Sequence, residues 1–312
     1  MDDYGITPIE LLDLIKTKVR VELEDYPSIK SLLYDNLFSK IPVIFNKIPK
    51  ESYLYRTVPI NRADLTMGRE KYLSYRPIIY NYPFFNRCSE PEQRHFYCST
   101  DRHLSIGECS YFISESETPG IKFKISTEKL EVGMWLVTQD LYVADLRFGS
   151  YKDGIAESNK ANIIKQYKEL AKEKYIMEFF EHINRSFEVP IKKEDHLQYW
   201  LTACYSNYLF DDTFSQHNWE SNTDEKKSII SLDGILYHSV KGIKMNPPMQ
   251  GYNVALRTEI IDNKKIKLVK AGIFETRMIN EKEFNLDVLI KHNIHIEGSS
   301  WYYVGAEEEK IK

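Results

Sequence analysis

Cysteine is scarce in this 312-residue chain, and the four present (Cys88, Cys98, Cys109 and Cys204) form no CxxC pair. The histidines are scattered, so no spacing of zinc ligands exists and no metal is expected. No apolar run approaches the roughly 20 residues that a bilayer requires. The acidic start MDDYGITPIELLD lacks the charged-then-apolar pattern of a secretory signal. These absences lead to an expectation of no membrane partner, free thiols and a reducing, cytoplasmic setting. Neither GxGxxG after a strand nor GxxxxGK[ST] occurs, which removes support for Rossmann and P-loop readings. The net charge is −4, so a general polyanion-binding role, nucleic acid included, is not expected.

What is present is an ordinary globular balance of 42% hydrophobic and 28% charged residues, with tyrosine unusually frequent at 22 copies. The first fifty residues read as a helical segment. Thr7-Pro8-Ile9-Glu10 supplies an N-cap, a proline at the first helical position and an acidic first turn. Ile9, Leu11, Leu12, Leu14, Ile15 and Val19 follow as an apolar face. A second helix is expected over Ser28–Ser39. From residue 51 to 312 the character is that of one main domain. Strands are expected at Tyr53–Val58, His95–Cys98, Ile121–Ile125, Leu130–Thr138 and Leu141–Leu146, then at Gly234–Val240, Asn253–Thr258, Ile266–Ile273 and Trp301–Val304. Helices are expected from Asp101 through Glu108 to about Phe112, over Glu157–Phe187 and Glu194–Leu209, and over Phe284–His292. The lysines of Lys160–Lys174 read as the wet face of the long helix, Asn61–Glu92 as a long loop, and Glu307–Lys312 as a frayed tail. Strands and helices are segregated rather than alternating, which predicts an α+β fold.

Three separated blocks carry a further signal. The first is Tyr55-Arg56, an arginine on an early strand. The second is FNRCSEPEQRHFYCSTDRHLSIGE, in which Arg87 lies ten residues before Tyr97 and Tyr97 eleven before Glu108. The third is LDGILYHSV, ending near Ser239. In this order and spacing the blocks resemble the RES domain, a family named for its Arg, Glu and Ser, over about residues 50–260. Its second arginine usually stands in a GR[FW]N phrase, whereas here the phrase is Asn86-Arg87-Cys88-Ser89. A competing Gly68-Arg69 lies 28 residues before Tyr97, so the choice between Arg69 and Arg87 stays open.

The resemblance implies an ADP-ribosyltransferase-like fold, with split β-sheets around an NAD cleft. It implies cleavage of the nicotinamide–ribose bond of NAD, with NAD as substrate, by water or phosphate as acceptor. It also implies a toxin held off by a cognate antitoxin protein. Transfer of ADP-ribose to a macromolecule and a catalytically silent NAD-binding or interaction module stand as alternatives, and the oligomeric state, a homo-oligomer included, is open. The chemistry agrees with the residue types. Arginine forks suit pyrophosphate oxygens, which gives Arg56 with Arg87 or Arg69 a binding role. A carboxylate beneath the ribose stabilises the positive charge that develops as nicotinamide leaves, which gives Glu108 the catalytic role. Tyr97 is placed to stack on nicotinamide or hold a ribose hydroxyl, and Ser239 to hydrogen-bond the amide or ribose. Taken singly each residue reads more simply as structural; their joint order carries the reading.

Overall fold

The computed structural model describes residues 6–60, 73–75, 83–110, 127–147, 174–191, 193–211, 231–240, 251–280, 283–297 and 300–305. Its longer helices are α1 (Pro8–Thr17), α2 (Tyr26–Asn36), α3 (Arg102–Cys109), α4 (Lys174–Glu188) and α5 (Trp200–Phe210). The strands are β1 (Phe45–Ile48), β2 (Tyr53–Pro59), β3 (His95–Ser99), β4 (Thr127–Val137), β5 (Leu141–Asp145), β6 (Gly234–Tyr237), β7 (Asn253–Arg257), β8 (Ile266–Asn280), β9 (Glu283–Glu297) and β10 (Ser300–Gly305). The class is α+β, with mostly antiparallel strand pairing. Among the described residues no helix is long and apolar enough to cross a membrane.

The chain divides into two compact units, each assembled from separate stretches. Unit 1 holds Met1–Lys47, Asn81–Arg94 and Tyr142–Tyr237. Helix α1 starts where the sequence says it should. Thr7 Oγ1 accepts from Glu10 N, and Glu10 Oε2 accepts from Thr7 N at 2.7 Å, closing a capping box ahead of Pro8. Leu11, Leu12 and Ile15 are buried, whereas Ile9 and Val19 of the expected apolar face are exposed. Phe38, Phe179 and Tyr205 then form an aromatic centre with ring centroids 5.0–5.8 Å apart, the edge-on spacing that aromatic rings favour. The three strands run β1-β5-β6. Strands β5 and β6 are parallel, so the chain between them must cross over, and α4 and α5 lie in that crossover.

Unit 2 holds Ile48–Tyr80, His95–Leu141 and His238–Lys312, with strand order β7-β3-β2-β4-β8-β9-β10. Helix α3 covers one face of this sheet: Ile106 packs with Leu130, Val132 and Phe274, with Tyr55 and Cys109 alongside. Thr57 and Ser105 hydroxyls meet at 2.8 Å in the same buried layer. On the other face the Phe96 and Trp135 rings lie 5.0 Å apart.

Three expectations need correction. Phe284–His292 belongs to a strand, β9, paired with β8 on one side and β10 on the other. The alternation Phe284, Leu286, Val288, Ile290 has the two-residue period of a strand, and the run Val288-Leu289-Ile290 conceals it. Strand β6 stops at Tyr237, so Ser239 lies beyond its end; all four strand residues are buried, as parallel strands covered on both faces are. The helix expected from Glu194 begins as a 3-10 turn, Lys193–Tyr199, before α5. The strand at Ile121–Ile125, the charged face of Lys160–Lys174 before Lys174, most of the Asn61–Glu92 loop and the tail lie outside the described residues.

Candidate active site

Four hydrogen-bonding side chains meet at the C-terminal turn of α3. Asp101 caps this helix by accepting from Leu104 N at 2.9 Å. Seven residues on, Glu108 is half-buried. Its Oε1 accepts from the Ser239 hydroxyl, in a very short bond, and from Asn253 Nδ2 at 2.7 Å. Asn253 Oδ1 in turn accepts from the Ser99 hydroxyl at 2.8 Å. Ser239, Asn253 and Ser99 are 3%, 6% and 2% exposed, so water competes little for these bonds. These two bonds come from uncharged groups, a hydroxyl and an amide, and they fix the direction of the carboxylate.

The backbone explains why these residues converge. Ser99 and Asn253 are register partners on antiparallel β3 and β7, so their side chains share a face. The turn before β7 is clamped to the start of α3: Thr100 N donates to Tyr252 O at 2.9 Å, and Tyr252 N to Thr100 Oγ1 at 2.9 Å. Gly251 has φ +98°, and a Cβ there would lie 2.6 Å from Asp101 Cβ. Only glycine fits that left-handed, close approach.

Arg56 and Tyr97 form a second group. Strands β2 and β3 share one registered pair, Tyr55 with Ser99, while β2 and β4 share seven. Arg56 Nη1 donates to Tyr97 O at 2.6 Å, beyond that single pair, and the guanidinium lies over the Phe96 ring at 5.2 Å. Tyr55 and Thr57 face α3, so alternation turns Arg56 towards the opposite face. Tyr97 is half-buried on β3, its ring 6.5 Å from that of His95.

Of the expected site residues, the structure joins Glu108 with Ser239 and Arg56 with Tyr97. Arg87 belongs to unit 1. Its guanidinium donates to the carbonyls of Phe187 and Val189 and to the Tyr199 hydroxyl, and it stacks 5.1 Å from the Tyr199 ring. These are structural contacts: a cation on the last carbonyls of α4, where the helix dipole is negative. Arg69 lies outside the described residues. Asn253 and Ser99 were not expected at the site. Asn is uncommon inside strands, so Asn253 in GYNVAL was the available signal; for Ser99 it was the Tyr97-Cys98-Ser99 phrase of the second block. Among the described residues no group of three His, Cys, Asp or Glu is placed to hold a metal ion.

No protein-family model, curated protein or solved structure matches the chain.

Proposed function

We propose that this chain cleaves the nicotinamide–ribose bond of NAD, as a RES-type enzyme with an ADP-ribosyltransferase-like fold. The observation that carries the reading is Glu108, a half-buried carboxylate held by Ser239 and Asn253. In the proposed reaction the C–N bond breaks heterolytically and nicotinamide leaves with the electron pair. The Glu108 carboxylate stabilises the positive charge left on the ribose. Water or phosphate then attacks the same carbon, and an attacking water loses its proton to solvent. The resemblance assigns the pyrophosphate to Arg56, whose side chain turns to the sheet face opposite α3 and donates to Tyr97 O where β2 and β3 part. Tyr97 contributes an aromatic surface on β3. A cell carrying such an activity needs it restrained, which gives a cognate antitoxin protein as partner. Transfer of ADP-ribose to a macromolecule uses the same first step and differs only in the acceptor.

One observation favours a different reading. Arg87 is committed to the end of α4, and a chain with one phosphate-binding arginine fewer fits a silent NAD-binding or interaction module. Nicotinamide release from NAD, with and without phosphate and beside Glu108→Ala, separates these. Release that vanishes in the variant supports the enzyme, and phosphate dependence identifies phosphorolysis. NAD binding without release, in a folded protein offered candidate acceptors, sinks it in favour of the module.

A further inference from the structure

We infer that Asn253 and Ser99 are a positioning pair that aims the Glu108 carboxylate in the proposed NAD-cleaving site. The inference rests on that reading of the site; it adds Asn253, which lies outside the three blocks, and gives a role to Ser99, the serine of Tyr97-Cys98-Ser99 in the second block.

An asparagine amide is ambiguous by itself, because oxygen and nitrogen occupy nearly the same shape. Beside a carboxylate the ambiguity matters. With Nδ2 towards Glu108 the contact is a charge-assisted hydrogen bond. With Oδ1 towards it, two acceptors face each other. The carboxylate, which only accepts, removes the ambiguity by drawing Nδ2 to Glu108 Oε1 at 2.7 Å, and this leaves Oδ1 to accept from the Ser99 hydroxyl at 2.8 Å, which anchors the amide from behind. The relay is a line of three side chains whose directions are set from the carboxylate outward: Glu108 fixes the amide, and the amide oxygen then fixes the Ser99 hydroxyl as donor.

The frame beneath the relay is rigid. Ser99 and Asn253 are paired across β3 and β7. The clamp of Tyr252 on Thr100, with Gly251 pressed against Asp101, ties the turn that leads into β7 to the residues that open α3. The helix bearing Glu108 and the strand bearing Asn253 are thus held together at one end by backbone and at the other by the amide. A carboxylate held this way keeps its direction while the ribose changes shape, which is the demand that electrostatic stabilisation of a cationic transition state makes. Ser239 supplies the second donor to the same oxygen, so Oε1 is fixed from two sides.

The test is steady-state nicotinamide release by full-length wild type, Asn253→Leu, Ser99→Ala, Ser99→Thr and the Ser99→Ala/Asn253→Leu double variant, with thermal melts alongside. Asn253→Leu is expected to lower kcat about 10- to 100-fold, the range for outer hydrogen bonds that orient a reacting ligand, and to change KM little. Ser99→Ala lowers kcat less, Ser99→Thr restores it by keeping the hydroxyl, and the double variant is no worse than Asn253→Leu alone, because Ser99 acts through Asn253. An active wild type with unchanged kcat in Asn253→Leu overturns the inference and spares the proposed function. Additive losses in the double variant overturn the relay as well. A folded wild type that releases no nicotinamide overturns the proposed function and, with it, the catalytic half of the inference. Should Asn253→Leu melt too low to assay, Asn253→Gln takes its place; it keeps the amide but displaces it by one methylene, and undiminished kcat there overturns the inference.

Discussion

Glu90 and Glu108 are both gathered by several donors, yet they are held in contrasting ways. In unit 1, Glu90 receives the Tyr26 hydroxyl at 2.6 Å, the Asn207 amide at 2.7 Å and the Lys30 ammonium at 2.8 Å. Gln93 extends the cluster by donating to Asn207 Oδ1 at 2.8 Å. A cation sits in that cradle, so the carboxylate is compensated, and the groups it joins come from α2, α5 and the turn before β3. It works as a staple. In unit 2, the Ser239 hydroxyl and the Asn253 amide, both uncharged, converge on one oxygen of Glu108. The comparison teaches that a cluster built around a cation joins separate elements, whereas uncharged donors converging on one carboxylate oxygen set its direction.

The largest effect that would test this contrast is Glu108→Gln. Nicotinamide release should fall about 10²- to 10³-fold, as it does when one electrostatic contributor to a transition state is removed, while the thermal midpoint barely moves. Glu90→Ala should do the reverse. It strands Lys30, Tyr26 and Asn207, and a loss of about 2–3 kcal/mol in denaturant unfolding is expected, with kcat retained in the folded fraction. If Glu90→Ala removed activity without loss of stability, the distinction between the two carboxylates would collapse. Gly251→Ala sharpens the contrast from within unit 2. Its strained backbone and the close Asp101 contact should cost about 1–3 kcal/mol and lower kcat too, because it loosens the clamp beneath Asn253. Thr57→Val, which removes the buried bond to Ser105, should cost about 1 kcal/mol.

A smaller and pH-dependent effect comes from buried thiols, Cys88 and Cys204 in unit 1 and Cys98 in unit 2, all raised by burial. Burial pushes the Cys88 and Cys204 thiols from an ordinary 9.0 up to about 12. The unfolded chain therefore ionises these thiols first. The stability that they carry is complete below 9.0 and is lost as pH rises through the window to about 12. Denaturant midpoints measured across that window should fall less steeply in Cys88→Ala than in wild type.

Legibility in the sequence followed the range of the interactions. Thr7-Pro8-x-Glu10 and Asp101 are local signals, and α1 and α3 begin where they stand. The aromatic and β-branched run at Tyr53–Val58 forms β2, with Pro59 as its last residue. Strand β9 was legible too, but an apolar triplet drew attention from its two-residue period. The site was legible in part: Glu108 and Ser239 are in contact although 131 positions apart. Arg87 was not, because what it binds, the carbonyls ending α4, is about a hundred residues away and carries no mark in the sequence. Asn253 acquires its role only from the register that sets it opposite Ser99, and register is a property of the folded sheet.

The separation of the Glu108 partners has a consequence for synthesis. A ribosome that has delivered Glu108 must add 131 more residues before Ser239 exists and 145 before Asn253 does. Until then α3 carries a carboxylate with neither of these donors to aim it. The nascent chain is therefore without its assembled site for most of translation, and truncation anywhere ahead of β7 yields a product that lacks it. Under the proposed function, NAD cleavage begins only after β7 has been made, which gives a restraining partner that interval in which to arrive.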